Sequence, residues 1–117
     1  MSQHDSLVAL RHMLDHAQEA VALARGRSRA DLDADRLLQL ALTRLVEIVG
    51  EAAGRVPSEL QARYPELPWR EVISARNRLI HGYESVDLDI VWEIVARDLP
   101  ELIPAIERVI ASERPAG

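Results

Sequence analysis

The 117-residue sequence contains no cysteine, so disulfide bonds, thiolate zinc sites and cysteine nucleophiles are excluded. It also lacks any run near the roughly 20 consecutive apolar residues that a membrane-spanning helix needs. The N-terminal stretch MSQHDSLVALRHML has neither the basic start nor the unbroken apolar run of a signal peptide. We therefore expect a cytoplasmic protein with no membrane association.

Lysine is absent as well, and all 14 basic residues are arginine. The formal net charge is −5, which is unfavourable for general nucleic-acid binding because that affinity comes largely from basic side chains that neutralise phosphates. If RNA is the substrate, a local cleft has to bind it, since the overall field of the protein would not attract it.

The spacing of apolar residues predicts helices and no strands. A chain of this length can bury a single core, so we expect one domain over 1–117 with a frayed tail from about 112. The stretch 25–33 has no apolar period and is predicted to be a loop. The predicted helices cover about 5–24, 33–53, 58–63, 68–81 and 87–111. This pattern predicts an all-α, antiparallel up-and-down bundle of four to five helices.

Two of these helices have features that bear on packing. The helix over 33–53 has an apolar stripe too wide for one neighbour to cover, which indicates the central helix of a bundle or the wall of a subunit interface. Its small residues Gly50, Ala52, Ala53 and Gly54 would let another backbone approach closely. The last helix contains Pro100 and Pro104, so it either kinks or consists of two helices in line.

Two pairs of side chains have spacings that could hold a metal ion. His12 and His16 are one turn apart, but they fall on the solvent side of their helix, which favours two exposed histidines. Glu47 and Glu51 are also one turn apart, but the further carboxylates of helical nucleotide hydrolases are missing, which favours paired or solvent-facing structural glutamates. We expect neither a metal nor a cofactor.

The densest polar chemistry lies in residues 76–83, RNRLIHGY. The guanidinium groups of Arg76 and Arg78 match phosphate oxygens, and His81 can accept or donate a proton near neutral pH. An arginine five places before a histidine is common by chance, but Asn77 is the only asparagine and Tyr83 is one of two tyrosines. The combination indicates chemistry on a phosphodiester.

The spacing within the motif raises a geometric difficulty. We expect its helix to start at Pro68 and end at His81, with Gly82 closing it. Five residues along a regular helix place Arg76 and His81 about 140° apart. Either the helix unwinds at His81, or Arg76 of one subunit works with His81 of another.

The Arg-Asn-x3-His-x-Tyr motif resembles the signature of HEPN-superfamily proteins, specifically the HepT-like toxins. The resemblance extends over nearly the whole chain, through LVALRHMLDHAQEAVALARGRS, ALTRLVEIVGEAA, PELPWREVISARNRLIHGY and VDLDIVWEIVARDLPELIPAIE. It implies a dimeric helical bundle whose two motifs line a shared cleft, and a metal-independent RNA endonuclease that is the toxin of a toxin–antitoxin pair. It further implies catalytic roles for Arg76 and His81. Tyr83 would be the residue that an MntA-like nucleotidyltransferase antitoxin neutralises by attaching AMP.

The chemistry of these residues is compatible with the implied roles. His81 would act as base on a ribose 2′-hydroxyl or as acid on the leaving oxygen, while Arg76 holds the phosphate. Asn77 could orient either residue, and Arg78 is either a second phosphate contact or a surface charge. Two alternatives stay open: a hydrogen-bond cluster at a helix end, and a non-catalytic HEPN module that binds nucleotide or docks on a nucleotidyltransferase.

Overall fold

The structure, a computed structural model, describes residues 3–81 and 85–114, and all of their side chains except those of residues 3, 80 and 81. The fold is all-α, as predicted. The described residues form eight α-helices where four to five were predicted: α1 Gln3–Ala24, α2 Arg29–Ala34, α3 Arg36–Gly54, α4 Ser58–Arg63, α5 Trp69–Ile73, α6 Ala75–Leu79, α7 Leu88–Glu93 and α8 Leu99–Glu113. A π-helical turn, Ile94–Asp98, connects α7 to α8.

One short pairing of extended backbone departs from the expectation that the chain has no strands. Strand β1, Ile80–His81, lies antiparallel to β2, Ser85–Val86, with Ile80 opposite Val86 and His81 opposite Ser85. Two residues are too few to show the alternation of apolar and polar side chains by which a strand is detected in a sequence.

The core lies where α1 packs along α3 and α8. Each of these helices buries one apolar stripe, and α3 also contacts α2, α5, α6, α7 and the π-helical turn. The interpretation of α3 as the central helix is therefore confirmed. The largest fully buried side chains are Leu10, Met13, Leu32, Leu42, Leu79, Ile106, Val46, Val91, Val95 and Val109.

The segment predicted to be a loop contains a helix, α2. Ser28 caps it: the Ser28 hydroxyl accepts a hydrogen bond from the Asp31 N–H, and the Asp31 carboxylate accepts one from the Ser28 N–H at 2.7 Å. This reciprocal capping box and the complete burial of Leu32 stabilise a helix too short to show an apolar period. The loop prediction was wrong from Arg29 onward.

Asp35 separates α2 from α3 and caps the longer helix, which therefore begins three residues later than predicted. Its carboxylate accepts a hydrogen bond from the Leu38 N–H at 3.0 Å and forms an ion pair with Arg27 at 3.2 Å. The hydrogen bond from Leu38, with a smaller contribution from Arg27, lowers the pKa of Asp35.

The approach of α3 to α5 depends on Gly50. A Cβ atom at this position would lie 2.9 Å from the carbonyl oxygen of Val72 and 3.4 Å from that of Ile73. The predicted close approach is therefore confirmed at Gly50, whereas a Cβ at Gly54 would meet only the Ile73 Cγ2 atom, at 4.0 Å.

The C-terminal segment is one uninterrupted helical run from Leu88 to Glu113. The Leu99 N–H donates to the Ile94 carbonyl, the wide spacing of a π-helix, immediately before Pro100. A proline nitrogen has no hydrogen to donate, so the π-helical turn falls where the regular ladder is already interrupted. The segment therefore consists of two α-helices in line, α7 and α8, which the π-helical turn joins without a gap.

The end of α8 contacts the end of α4 and the residue that follows it. Glu113 accepts a hydrogen bond from the Tyr64 hydroxyl at 2.5 Å and forms an ion pair with Arg63 at 3.3 Å, so the helix continues two residues past its predicted end at Ala111. The hydrogen bond to Glu113, together with desolvation, raises the pKa of Tyr64. Across the described ranges, no helix combines the length and apolar character needed to cross a bilayer.

Candidate active site

The candidate site begins with the short helix α6, which presents the first half of the motif. The predicted helix over 68–81 is divided at Ser74, and helical geometry ends at Leu79 and not at His81. The Ser74 hydroxyl donates to the Arg70 carbonyl at 2.7 Å, beside the Ser74 N–H, which donates to the same carbonyl at 3.0 Å. A side-chain bond of this kind often bends a helix. Buried Ala75 and Leu79 then fix α6 to the core, which leaves its polar residues on the surface.

Arg76 points towards α3. Its Nε atom lies 3.4 Å from the Glu47 Oε2 atom, and the two side chains form an ion pair. The Arg76 side chain is 61% exposed, whereas that of Glu47 is only 23% exposed. The Arg76 guanidinium is therefore accessible to solvent, whereas the Glu47 carboxylate that pairs with it is mostly buried.

Arg78 lies on a different side of α6, because residues two apart on a helix are separated by about 200°. It lines an open cleft of about 520 Å³ between α3, α5 and the C-terminal helical run. Apolar side chains, including Val46, Val49 and Leu102, line the cleft together with charged ones, the latter being Arg78, Arg108, Glu66, Glu71, Asp98 and Glu101. Acidic groups outnumber the two arginines there, so the cleft does not favour an anion.

The two arginines of the motif are thus not brought together. Asn77 is exposed between them, and its backbone N–H donates to the Ser74 carbonyl at 2.9 Å. Arg78 lines the acidic cleft, whereas Arg76 and Glu47 do not.

The backbone of His81 lies in β1, directly after α6. The Asp87 N–H donates to the Leu79 carbonyl at 2.7 Å, which holds the chain beyond β2 against the end of α6. The helix therefore ends before His81, which removes the premise of the 140° separation from Arg76. The side chain of His81 and the whole of Tyr83 lie outside the described residues, as does Gly82, which was predicted to close the helix.

The two carboxylates considered as metal ligands are paired with arginines. Glu51 forms an ion pair with Arg44 at 3.1 Å, as Glu47 does with Arg76, so the structural interpretation of both glutamates is confirmed. Sequence reasoning did not detect the contact between Glu47 and Arg76, because no local spacing connects residues on different helices.

The histidine pair on α1 also has a local structural explanation. His16 Nδ1 lies 2.7 Å from the His12 carbonyl oxygen, and the two rings are 5.8 Å apart. Within 3–81 and 85–114, no three side chains of the metal-binding types come close enough together to hold an ion.

The all-helical fold, with this motif beginning on a short surface helix, is compatible with the class of HEPN proteins. The family model described as ribonuclease HepT-like matches residues 13–109, and the chain belongs to this family. The resemblance seen in the sequence is thereby confirmed.

Two curated relatives are similar over more than nine tenths of their own lengths. A Thermococcus cleftensis protein named "Probable ribonuclease HepT" is 35% identical over 100 residues, which cover 82% of this chain and 91% of that protein. A Caldanaerobacter subterraneus subsp. tengcongensis protein named "Putative RNase" is 31% identical over 105 residues, covering 90% of this chain and 94% of the relative. The search of solved structures found no significant match.

Proposed function

We propose that this protein is an endoribonuclease and the toxin of a toxin–antitoxin pair, with Arg76 and His81 as its catalytic residues. Membership of the HepT-like ribonuclease family supports RNA as the substrate class. The observation that carries the assignment of residues is the exposed Arg76 guanidinium on the last helical turn before the backbone of His81. A cytoplasmic location, where RNA is available, is part of the proposal.

The proposed reaction is an internal transesterification. His81 removes the proton from the ribose 2′-hydroxyl or donates one to the leaving 5′-oxygen, while Arg76 holds the phosphate and stabilises the charge developing on its oxygens. The 2′-oxygen attacks phosphorus as the bond to the 5′-oxygen breaks, which leaves a 2′,3′-cyclic phosphate. The nucleophile comes from the substrate, so the reaction requires no metal-bound water. Asn77 is proposed to orient the groups around it.

The proposed partners are a second copy of the chain and an MntA-like nucleotidyltransferase antitoxin. Leu37 and Leu40 on α3 are 78% and 50% exposed, which supports a subunit contact on the outer side of this helix. The antitoxin would attach AMP to Tyr83 and so place a covalently held phosphate near Arg76, the arginine proposed to hold RNA. In cells, Tyr83→Phe should leave a toxin that the antitoxin cannot neutralise by modification; continued protection would mean that binding alone suffices.

The experiment that tests the function is cleavage of a labelled RNA in EDTA. We expect the wild type to cleave, and Arg76→Ala and His81→Ala to be slower by about 100-fold or more, which is the scale of general acid–base and oxyanion contributions. Arg44→Ala is the matched control, because it removes another exposed arginine that pairs with a glutamate of α3. Arg78→Ala should cleave at close to the wild-type rate if Arg78 is only a surface charge in the acidic cleft.

Three results would contradict the proposal. Loss of wild-type activity in EDTA would refute the metal-independent mechanism. Cleavage of an RNA with a 2′-deoxyribose at the cut site would refute the attack by the 2′-hydroxyl. Absence of cleavage by a sample whose mass shows Tyr83 unmodified would refute the nuclease function.

A second candidate function is a non-catalytic HEPN module that binds nucleotide or docks on a nucleotidyltransferase. The apolar cleft with its excess of acidic groups favours docking, as does the net charge of −5. A docking module would keep its binding when His81 is replaced by alanine, whereas the nuclease would lose its activity while remaining folded.

A further inference from the structure

Glu47 is placed to hold Arg76 in one orientation. It lies on α3, the central helix, whose backbone is in close contact with α5 at Gly50. Arg76 lies on the five-residue helix α6, just beyond the interruption at Ser74. The carboxylate is therefore anchored on the better-packed element, and the guanidinium is the partner whose position it restricts.

The ion pair uses only one side of the guanidinium. Glu47 approaches Nε, and the structure assigns Arg76 no other ion-pair partner within the described residues. An arginine can present either its Nε side or its two terminal nitrogens to an oxyanion, and a phosphate bound in bidentate fashion takes two parallel N–H bonds. With Glu47 at Nε, the terminal nitrogens stay available for the phosphate.

A comparison with the neighbouring pair on the same helix shows that this arrangement is specific to Glu47. Glu51 and Arg44 are 41% and 59% exposed, the ordinary situation of a surface ion pair, which contributes little. Glu47 is 23% exposed, so its carboxylate has less freedom to move and less competition from water. The arginine of each pair stays about 60% exposed, but only the Glu47 pair includes a motif residue.

We propose that Glu47 is a positioning residue for RNA cleavage, which orients the Arg76 guanidinium with its terminal nitrogens towards the scissile phosphate. This inference rests on the proposed ribonuclease function. In this role Glu47 affects kcat and KM through different properties of its side chain. The orientation contributes to kcat, whereas the negative charge of Glu47 repels the phosphate and raises KM.

The test compares kcat and KM of the wild type with those of Glu47→Ala, Glu47→Gln and the matched control Glu51→Ala. Removing the orienting group should lower kcat by about tenfold, because small errors in the placement of a catalytic group cost one to two orders of magnitude. The glutamine variant keeps an oxygen that can face Nε and loses only the charge. It should therefore keep kcat within about threefold and lower KM by about twofold.

Two further measurements separate positioning from a general loss of structure. Thermal unfolding of the three variants should stay close to that of the wild type, because the arginine of each pair is about 60% exposed and stays hydrated when its glutamate is replaced. In an Arg76→Ala background, Glu47→Ala should cause no additional loss of cleavage, since a positioning residue acts only through the group it positions.

The outcomes distinguish this inference from the proposed function. An active wild type with Glu47→Ala at the same kcat would overturn the role of Glu47 while leaving the function intact. Equal losses in Glu47→Ala and Glu51→Ala, or a further loss in the Arg76→Ala background, would also overturn it. An inactive wild type would refute the ribonuclease function itself, and the inference with it.

Discussion

Replacing Gly50 with alanine tests whether direct contact between the backbones of α3 and α5 holds the motif helix in place. The added Cβ would lie 2.9 Å from the Val72 carbonyl oxygen and 3.4 Å from that of Ile73. Both obstacles are backbone atoms, so no change of side-chain rotamer can relieve them. The two helices would have to separate by several tenths of an ångström at this point.

Two opposing effects set the magnitude. Alanine is a better helix former than glycine by about 1 kcal/mol, which on its own would stabilise the variant. Overpacking in a well-packed interior costs about 1 to 3 kcal/mol. We therefore expect a net destabilisation of about 1 kcal/mol, with an upper value of about 2 kcal/mol.

The assay is urea-induced unfolding followed by circular dichroism, with Gly54→Ala as the matched control. Gly54 is the last residue of the same helix, and a Cβ there would meet only the Ile73 Cγ2 atom at 4.0 Å, an ordinary contact. The Gly54 variant should be unchanged or slightly more stable. A Gly50 variant as stable as the Gly54 variant would refute the close contact, because helix propensity would then be the only effect present.

The same substitution should reach the candidate site. Helix α5 leads through Ser74 directly into α6, so a displacement of Val72 and Ile73 moves the backbone that carries Arg76. We expect RNA cleavage by folded Gly50→Ala protein to fall by more than its loss of folded population explains. Cleavage that follows only the folded fraction would show that α6 is positioned independently of this contact.

Two further predictions concern pH and helix capping. Because Glu113 raises the pKa of Tyr64 above its usual 10.0, the folded state keeps the phenol proton longer than the unfolded state. This contribution to stability is complete below about pH 10 and is lost as the pH rises through the raised pKa, so Tyr64→Phe should flatten the alkaline fall of the melting temperature. An unchanged alkaline slope would contradict this linkage. At the other extreme, Asp35→Ala should lower the melting temperature at neutral pH, whereas Asp35→Asn keeps an acceptor for the Leu38 N–H and should lower it less. Since the pKa of Asp35 is lowered, its charge contributes to stability above the usual pKa of 3.8, and this contribution is lost as the pH falls through the lowered pKa. Equal melting temperatures of the Asp35→Ala and wild-type proteins at neutral pH would show that the cap is unimportant.

The long helices could be predicted from sequence because their signal is local and repeated. Apolar residues at spacings of three and four mark the buried faces of α1 and α3, and the predicted spans 5–24 and 33–53 come within three residues of the observed ends. The same signal cannot report on α2, whose six residues include one buried side chain, Leu32. The serine and aspartate of its capping box are visible in the sequence, three residues apart, and were the signal to use.

The candidate site divides in the same way. The identity of Arg76 and its exposure follow from the motif and from its position off the apolar stripe. The end of the helix before His81 does not follow, because it depends on the pairing of residues 85–87 with residues 79–81, which no apolar period encodes.

What the sequence by itself determined is therefore the chemistry present: a helical fold, a family, and an arginine beside a histidine and a tyrosine without any cysteine. Only the tertiary structure decided which groups meet. It placed Glu47 against Arg76, and it placed Arg78 in the lining of an acidic cleft. The physical reason is that helix formation and burial are governed by residues within a turn or two, whereas ion pairs and clefts depend on how separate helices pack, here through the contact that Gly50 allows.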